Sequence, residues 1–168
     1  DRETLERSLS EEVTAPPPSP PVEPPRPSVK TDADLLWPIL GPINSPFGPR
    51  WGKFHTGIDI GSPHYQEVAA AADGEVIYAN ETRGALGKAV VLQHDRGLRT
   101  VYAHLSIIIA REGDTVRQGQ PIGGVGDTGR ATGPHLHFEV RRNGVALNPE
   151  EYLPATIDEL VRDLSRQR

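Results

Sequence analysis

Six histidines lie in a 168-residue chain that has no cysteine, and their neighbourhoods separate them. His135 and His137 belong to the run PHLHFEV at residues 134–140. On a strand, alternate side chains point the same way, so His135, His137 and Glu139 share one face while Leu136, Phe138 and Val140 share the other, apolar one. Two imidazoles in line beside a carboxylate suit a metal site. A pair of solvent-exposed strand histidines is the competing reading, and this run alone leaves both open. Upstream, in HTGID, His55 and Asp59 are four residues apart. That spacing would fit one face of a helix, but Gly57, Gly61 and the β-branched Ile58 and Ile60 favour extended chain. An even spacing still puts the pair on one face of a strand. Gly57 between them is expected to leave open space in which an ion could sit. Two imidazoles and one carboxylate are a common zinc set with a fourth position open to water, whereas structural zinc sites close with four protein ligands, usually including thiolates that this chain lacks.

The remaining histidines are plainer. His104 lies in TVYAHLS, where Val101, Ala103 and Leu105 alternate with Tyr102 and His104. It therefore faces away from the apolar side, and taken alone it reads as a hydrogen-bonded structural histidine. His64 (GSPHYQ) and His94 (LQHDRG) fall in loop or strand-end contexts and are read as non-catalytic.

Short strands must carry these residues. Val68–Ala72 and Gly74–Tyr78 read as strands broken near Asp73 and Gly74. Ala89–Gln93 and Thr100–Leu105 flank the turn Asp95-Arg96-Gly97, and Leu136–Arg141 runs into Asn143-Gly144; both are hairpin signatures. Between Leu35 and Pro149 no segment has the length and period of an amphipathic helix, so an all-β sandwich or barrel is expected. Thr156 with Glu159 forms a capping-box pattern, and Ile157, Leu160, Val161 and Leu164 make an apolar stripe, which predicts a short C-terminal helix.

Composition divides the chain into a tail at residues 1–34, a domain at 35–154 long enough for one hydrophobic core, and the helix at 155–168. Eight of the 17 prolines fall between Pro16 and Pro27. An extended polyproline spacer of about 16 residues would span roughly 50 Å. The net charge of −5 is concentrated in the tail. The domain has no basic field for a phosphate backbone, which argues against a nucleic-acid partner. No apolar run approaches the roughly 20 residues of a membrane-spanning helix. The absence of methionine leads us to expect a fragment or processed product, with any export signal and any upstream module outside this chain.

From Trp37 to Leu153 the chain resembles the lysostaphin-like (LytM-type) zinc peptidoglycan endopeptidases. The residues that carry the resemblance are SPFGPR, HTGIDIGSP, VAAAADGEV, VVLQHDRGLRTVYAHLS, EGDTVRQGQPIG, GDTGRATGPHLHFEVRRNG and NPEEYL, in the family's order. The resemblance implies an antiparallel β-sandwich with a duplicated hybrid-motif core and a groove over the sheet. It implies zinc held by His55, Asp59 and His137, with His104 and His135 as the catalytic histidines that do not bind the metal. Zinc would activate a water for attack on a peptide bond, with no HExxH glutamate as base, and the two free histidines would transfer protons and stabilise the oxyanion. Glu139 is either an acceptor that orients His137 or half of a solvent salt bridge to an arginine. Arg50, in the family's FGxR position, is expected to be a structural clamp, and Tyr102 either lines the cleft or packs.

The implied substrate is the peptide part of bacterial peptidoglycan. The implied location is extracytoplasmic: periplasm, cell envelope or secreted. The proline-rich linker would join the domain to an upstream anchor or wall-binding module. The alternative is a non-catalytic relative that binds or activates another wall hydrolase; such relatives characteristically lose zinc-site residues, and all five positions are kept here. EGDTVRQGQPIG also resembles the hammerhead of lipoyl and biotinyl carriers, but the exposed lysine beside methionine that they need is lacking. A cupin would place its HxH first rather than last. Two departures from the family pattern, the short WGKF between Arg50 and His55 and SPHYQEV around His64, bear on the groove walls and not on the five core positions.

Overall fold

A computed structural model of the chain describes residues 35–154, and the predicted N-terminal tail and C-terminal helix lie outside them. Twelve strands follow one another: β1 (Ile43–Ser45), β2 (Gly48–Arg50), β3 (Lys53–His55), β4 (Ile58–Gly61), β5 (Glu67–Ala69), β6 (Gly74–Glu81), β7 (Lys88–Gln93), β8 (Leu98–Ile108), β9 (Thr115–Val116), β10 (Pro121–Val125), β11 (His135–Arg142) and β12 (Val145–Leu147). Among the described residues the only regular helical element is a single 3₁₀ turn, Pro149–Glu151, because the short turn Asp95–Gly97 contains a left-handed Arg96. No helix here is long and apolar enough to cross a membrane.

The fold is all-β and antiparallel, as expected. One ten-stranded sheet runs β1-β4-β11-β8-β7-β6-β9, with β12 beside β11 and β10 bridging β5 and β8; β2 and β3 form a separate two-stranded ribbon. The two anticipated hairpins are present. Arg96 and Gly97 turn β7 into β8, and Asn143 and Gly144 turn β11 into β12, all four with positive φ, the geometry that two-residue turns between twisted strands require. The predicted strand over 68–72 is shorter. It ends at Ala69, and Ala70, Ala71 and Ala72 continue as buried irregular chain.

The main core lies on one face of the sheet. It gathers Ile58 and Ile60 of β4, Leu136, Phe138 and Val140 of β11, Tyr102 and Leu105 of β8, and Leu92 of β7. Tyr102 therefore packs rather than lining a cleft. Its hydroxyl is fixed by Ala71 N–H at 2.9 Å and Thr100 Oγ1 at 2.8 Å. His94 joins the same buried network through Asp73 O at 2.6 Å and Thr100 Oγ1 at 2.7 Å. It sits in the interior away from the histidine cluster, and burial pushes its pKa down. A smaller cluster of Tyr78, Ala89, Val91, Val101 and Ala103 covers the opposite face.

The two ends of the described segment meet. Leu35 N–H donates to Tyr152 O at 3.3 Å, and Trp37 Nε1–H donates to Pro154 O at 2.9 Å.

Candidate metal centre

The register of three central strands assembles the site. β11 pairs with β4 so that His137 stands opposite Asp59, and with β8 so that His137 stands opposite Ala103 and Glu139 opposite Val101. Because Leu136, Phe138 and Val140 must face the main core, period-two alternation turns His135, His137, Glu139 and Arg141 to the other side. β3 ends at His55, and the chain re-enters the sheet at Ile58, which brings His55 over Asp59 in extended chain rather than on a helix.

Gly57 does not make room for an ion. A Cβ at this position would lie 2.3 Å from Phe138 O and 2.9 Å from Glu139 Cγ. The glycine instead lets this turn close on the backbone of β11. The open-space expectation is corrected accordingly.

His104 reaches the site by a different route from the one its neighbours suggested. Strict alternation does not hold on β8: Tyr102 and Leu105 both enter the main core, while Val101 and Ala103 face the other side. The register slips between Lys88 and Val90 opposite this point, and His104 has φ +64°. The extra residue of this bulge is His104, which turns its ring out of the core towards β11. Its ring centroid is 4.8 Å from that of His135 and 5.9 Å from that of His137.

Asp59 Oδ1 is the hub. It lies 3.0 Å from His137 Nδ1, 3.3 Å from His55 Nε2 and 3.7 Å from His135 Nε2. His55, Asp59 and His137 each bring one donor atom within 4.8 Å of the others, a grouping that could hold a metal ion. Each imidazole is aimed by a partner on its far nitrogen. His55 Nδ1–H donates to Pro46 O at 2.9 Å, and His137 Nε2–H donates to Glu139 Oε2 at 2.8 Å. Nε2 of His55 and Nδ1 of His137 are thereby left to face Asp59. Both readings of Glu139 are realised together, but in the interior rather than in solvent: only 3% exposed, it also accepts from Thr56 Oγ1 at 2.9 Å and Arg141 Nε at 2.6 Å.

The electrostatics suit a cation. Burial would raise the Asp59 pKa, but hydrogen bonds from His137 and His55 hold it well below the carboxylate range. Burial would lower that of His137, yet its bonds to Asp59 and Glu139 raise it to about 9. Glu139 is held low, its burial outweighed by His137 and Arg141. The space between Asp59 and Glu139 thus draws positive charge, and the oriented set of two imidazoles and one carboxylate fits zinc. His104 differs. Burial above all, with His137 and His135 nearby, lowers it to about 4.

His64 stacks on Tyr65 at the surface, and Arg50 donates to Ser45 Oγ, neither of them at the site. The sequence reading gave neither Thr56 nor Arg141 a part in the site. Arg141 had a visible signal, two places beyond Glu139 on the same strand face. Thr56 and the carbonyl of Pro46 had none.

The profile of Peptidase family M23 matches residues 53–149, which contain all five residues of the cluster. The chain belongs to this family. Among its relatives, the DD-carboxypeptidase/endopeptidase Mpg of Neisseria meningitidis serogroup B is 47% identical over 114 residues, covering 64% of this chain and 26% of that protein. The murein hydrolase activator NlpD of Salmonella dublin is 36% identical over 148 residues, covering 84% of this chain and 39% of that protein. Among solved structures, a zinc-containing peptidase from Vibrio cholerae superposes with a TM-score of 0.62 at 34% identity, covering 67% of this chain and 37% of that one. The M23 chain thus spans well under half the length of the curated relatives it matches.

Proposed function

We propose that this M23 domain is a zinc-dependent endopeptidase that hydrolyses peptide bonds in bacterial peptidoglycan. The observation that carries the reading is the convergence of His55, Asp59 and His137 on one point, with His104 and His135 beside it. His55 Nε2, an Asp59 oxygen and His137 Nδ1 would hold the zinc. When bound, zinc supplies Lewis acidity towards a peptide carbonyl and lowers the pKa of a water.

The protein's own groups do the rest. Asp59 stays ionised at neutral pH. Glu139 and the Pro46 carbonyl hold the two ligand rings in their binding tautomers. His104 and His135 each donate Nδ1–H to a backbone carbonyl, at 2.7 and 2.9 Å, which leaves both Nε2 atoms as the positions for proton transfer. Burial keeps His104 neutral at pH 7. The names of Mpg and of the Vibrio cholerae peptidase support an enzyme of this kind. Peptidoglycan peptides as substrate, an extracytoplasmic location and an upstream anchor or wall-binding module joined through the proline-rich segment belong to the same proposal.

The name of NlpD favours a second reading, a module that activates another wall hydrolase. Digestion of defined peptidoglycans, with products identified by mass spectrometry, separates the two. The enzyme releases soluble peptide fragments alone and stops under chelation. No release by the zinc-loaded domain, or release that persists under chelation, overturns the proposal.

A further inference from the structure

His104 and His135 come from different strands, yet one loop sets both rings. Between β10 and β11, Thr128 O accepts from His104 Nδ1 at 2.7 Å, and Gly133 O accepts from His135 Nδ1 at 2.9 Å. The first of these contacts needs outside support, because His104 sits on a bulge with positive φ, a conformation disfavoured for a bulky residue. Thr128 supplies that support. Its hydroxyl donates to Leu105 O at 2.7 Å and accepts from Lys88 N–H at 3.0 Å. One side chain thus ties the residue after His104 to the start of β7.

The adjoining backbones are locked as well. His104 N–H donates to Leu86 O at 2.8 Å and Arg130 N–H to Ala85 O at 2.9 Å. The loops approach so closely that a Cβ on Gly87 would lie 2.5 Å from Thr128 C, and one on Gly129 2.3 Å from Ala85 O.

We propose that Thr128 is a positioning residue for His104: its hydroxyl bridge holds its own carbonyl on His104 Nδ1 and so fixes Nε2 towards the metal centre. Its effect on turnover rests on the peptidase reading; its effect on the ring does not.

The test uses full-length chain, wild type, Thr128→Val and Thr128→Ser. Long-range proton–nitrogen NMR at neutral pH reads the tautomer of His104, and hydrolysis and zinc-competition assays run beside it. The wild type is expected to carry its proton on Nδ1. Thr128→Val, which keeps the shape and loses both hydroxyl contacts, should show mixed tautomers. Its kcat should fall on the order of 100-fold, the cost of a misplaced catalytic group, with KM and zinc affinity unchanged. Thr128→Ser keeps the hydroxyl and should behave as wild type. A Thr128→Val protein with the wild-type tautomer and kcat overturns the proposal. So does a wild-type His104 protonated on Nε2, a result that needs no variant to fold. If the wild type hydrolyses nothing, the peptidase reading fails, and the positioning role is judged on the tautomers alone.

Discussion

Replacing Glu139 by glutamine sets a problem that the site cannot solve. In the native protein Oε2 accepts from His137 Nε2 at 2.8 Å and from Thr56 Oγ1 at 2.9 Å, while Oε1 accepts from Arg141 Nε at 2.6 Å. A carboxamide has one accepting oxygen and one donating nitrogen. With its oxygen towards His137, its NH₂ meets the N–H of Arg141, and a buried guanidinium loses its counter-charge, a loss that reaches about 3–5 kcal/mol when one partner of a buried pair is removed. With its NH₂ towards His137, the imidazole must carry its proton on Nδ1, the atom proposed above to hold zinc.

We expect the side chain to compromise. Zinc affinity should fall about 10–100-fold, as for other groups that orient a metal ligand, and the metal-free protein should melt at a lower temperature. Competition with a chromophoric chelator measures the first effect, and calorimetry the second. Adding Arg141→Met should remove the conflict, because the glutamine oxygen can then serve His137 and Thr56 while its NH₂ faces an apolar chain. The double variant should therefore bind zinc more tightly than Glu139→Gln alone, a non-additivity read from the full cycle. If Glu139→Gln matched the wild type in both zinc affinity and melting temperature, Glu139 would not be aiming His137.

Three further outcomes can be checked. Asp59→Ala should lose zinc and activity together, whereas His135→Ala should keep zinc and lose activity; metal analysis showing zinc lost from the latter would mean that the ligand assignment is wrong. Gly57→Ala must push the turn off Phe138 O, now 2.3 Å from the new methyl, and should cost about 1–3 kcal/mol in denaturant unfolding as an overpacked site, with zinc affinity falling as β4 shifts. His94 is buried and its folded pKa is depressed, so the unfolded chain binds its proton first as pH falls. Its neutral form contributes stability above about pH 6.5, and that contribution shrinks as pH drops towards the folded value. Metal-free wild type should therefore lose stability below this pH more steeply than His94→Gln, by up to ~1.4 kcal/mol per pH unit, and parallel curves would refute the assignment.

Legibility in the sequence tracked how local the cause was. The two hairpins could be read because Arg96-Gly97 and Asn143-Gly144 fix their own turns. The face shared by His135, His137 and Glu139 could be read because Leu136, Phe138 and Val140 allow one orientation of β11. His104 was placed on the correct side by an argument that fails in detail. Both faces of β8 are covered, so Val101 and Ala103 looked like core markers equal to Leu105, and only the bulge opposite β7 decides which way each residue turns. Gly57 misled for a similar reason: a glycine signals that space is needed, not what fills it, and the occupant is a carbonyl 81 residues downstream. The carbonyls of Pro46, Thr128 and Gly133 that aim three of the imidazoles leave no trace in residue type, since every residue has one.

The meeting of the two ends also governs how the domain bears mechanical load. Leu35 is bonded to Tyr152, and Trp37 to Pro154. Tension drawn through the chain on either side enters and leaves at one corner. It peels these two bonds in turn rather than shearing the β4-β11-β8 ladder that holds the histidines. A domain pulled at these two points would yield at this seam first and keep its candidate metal centre intact.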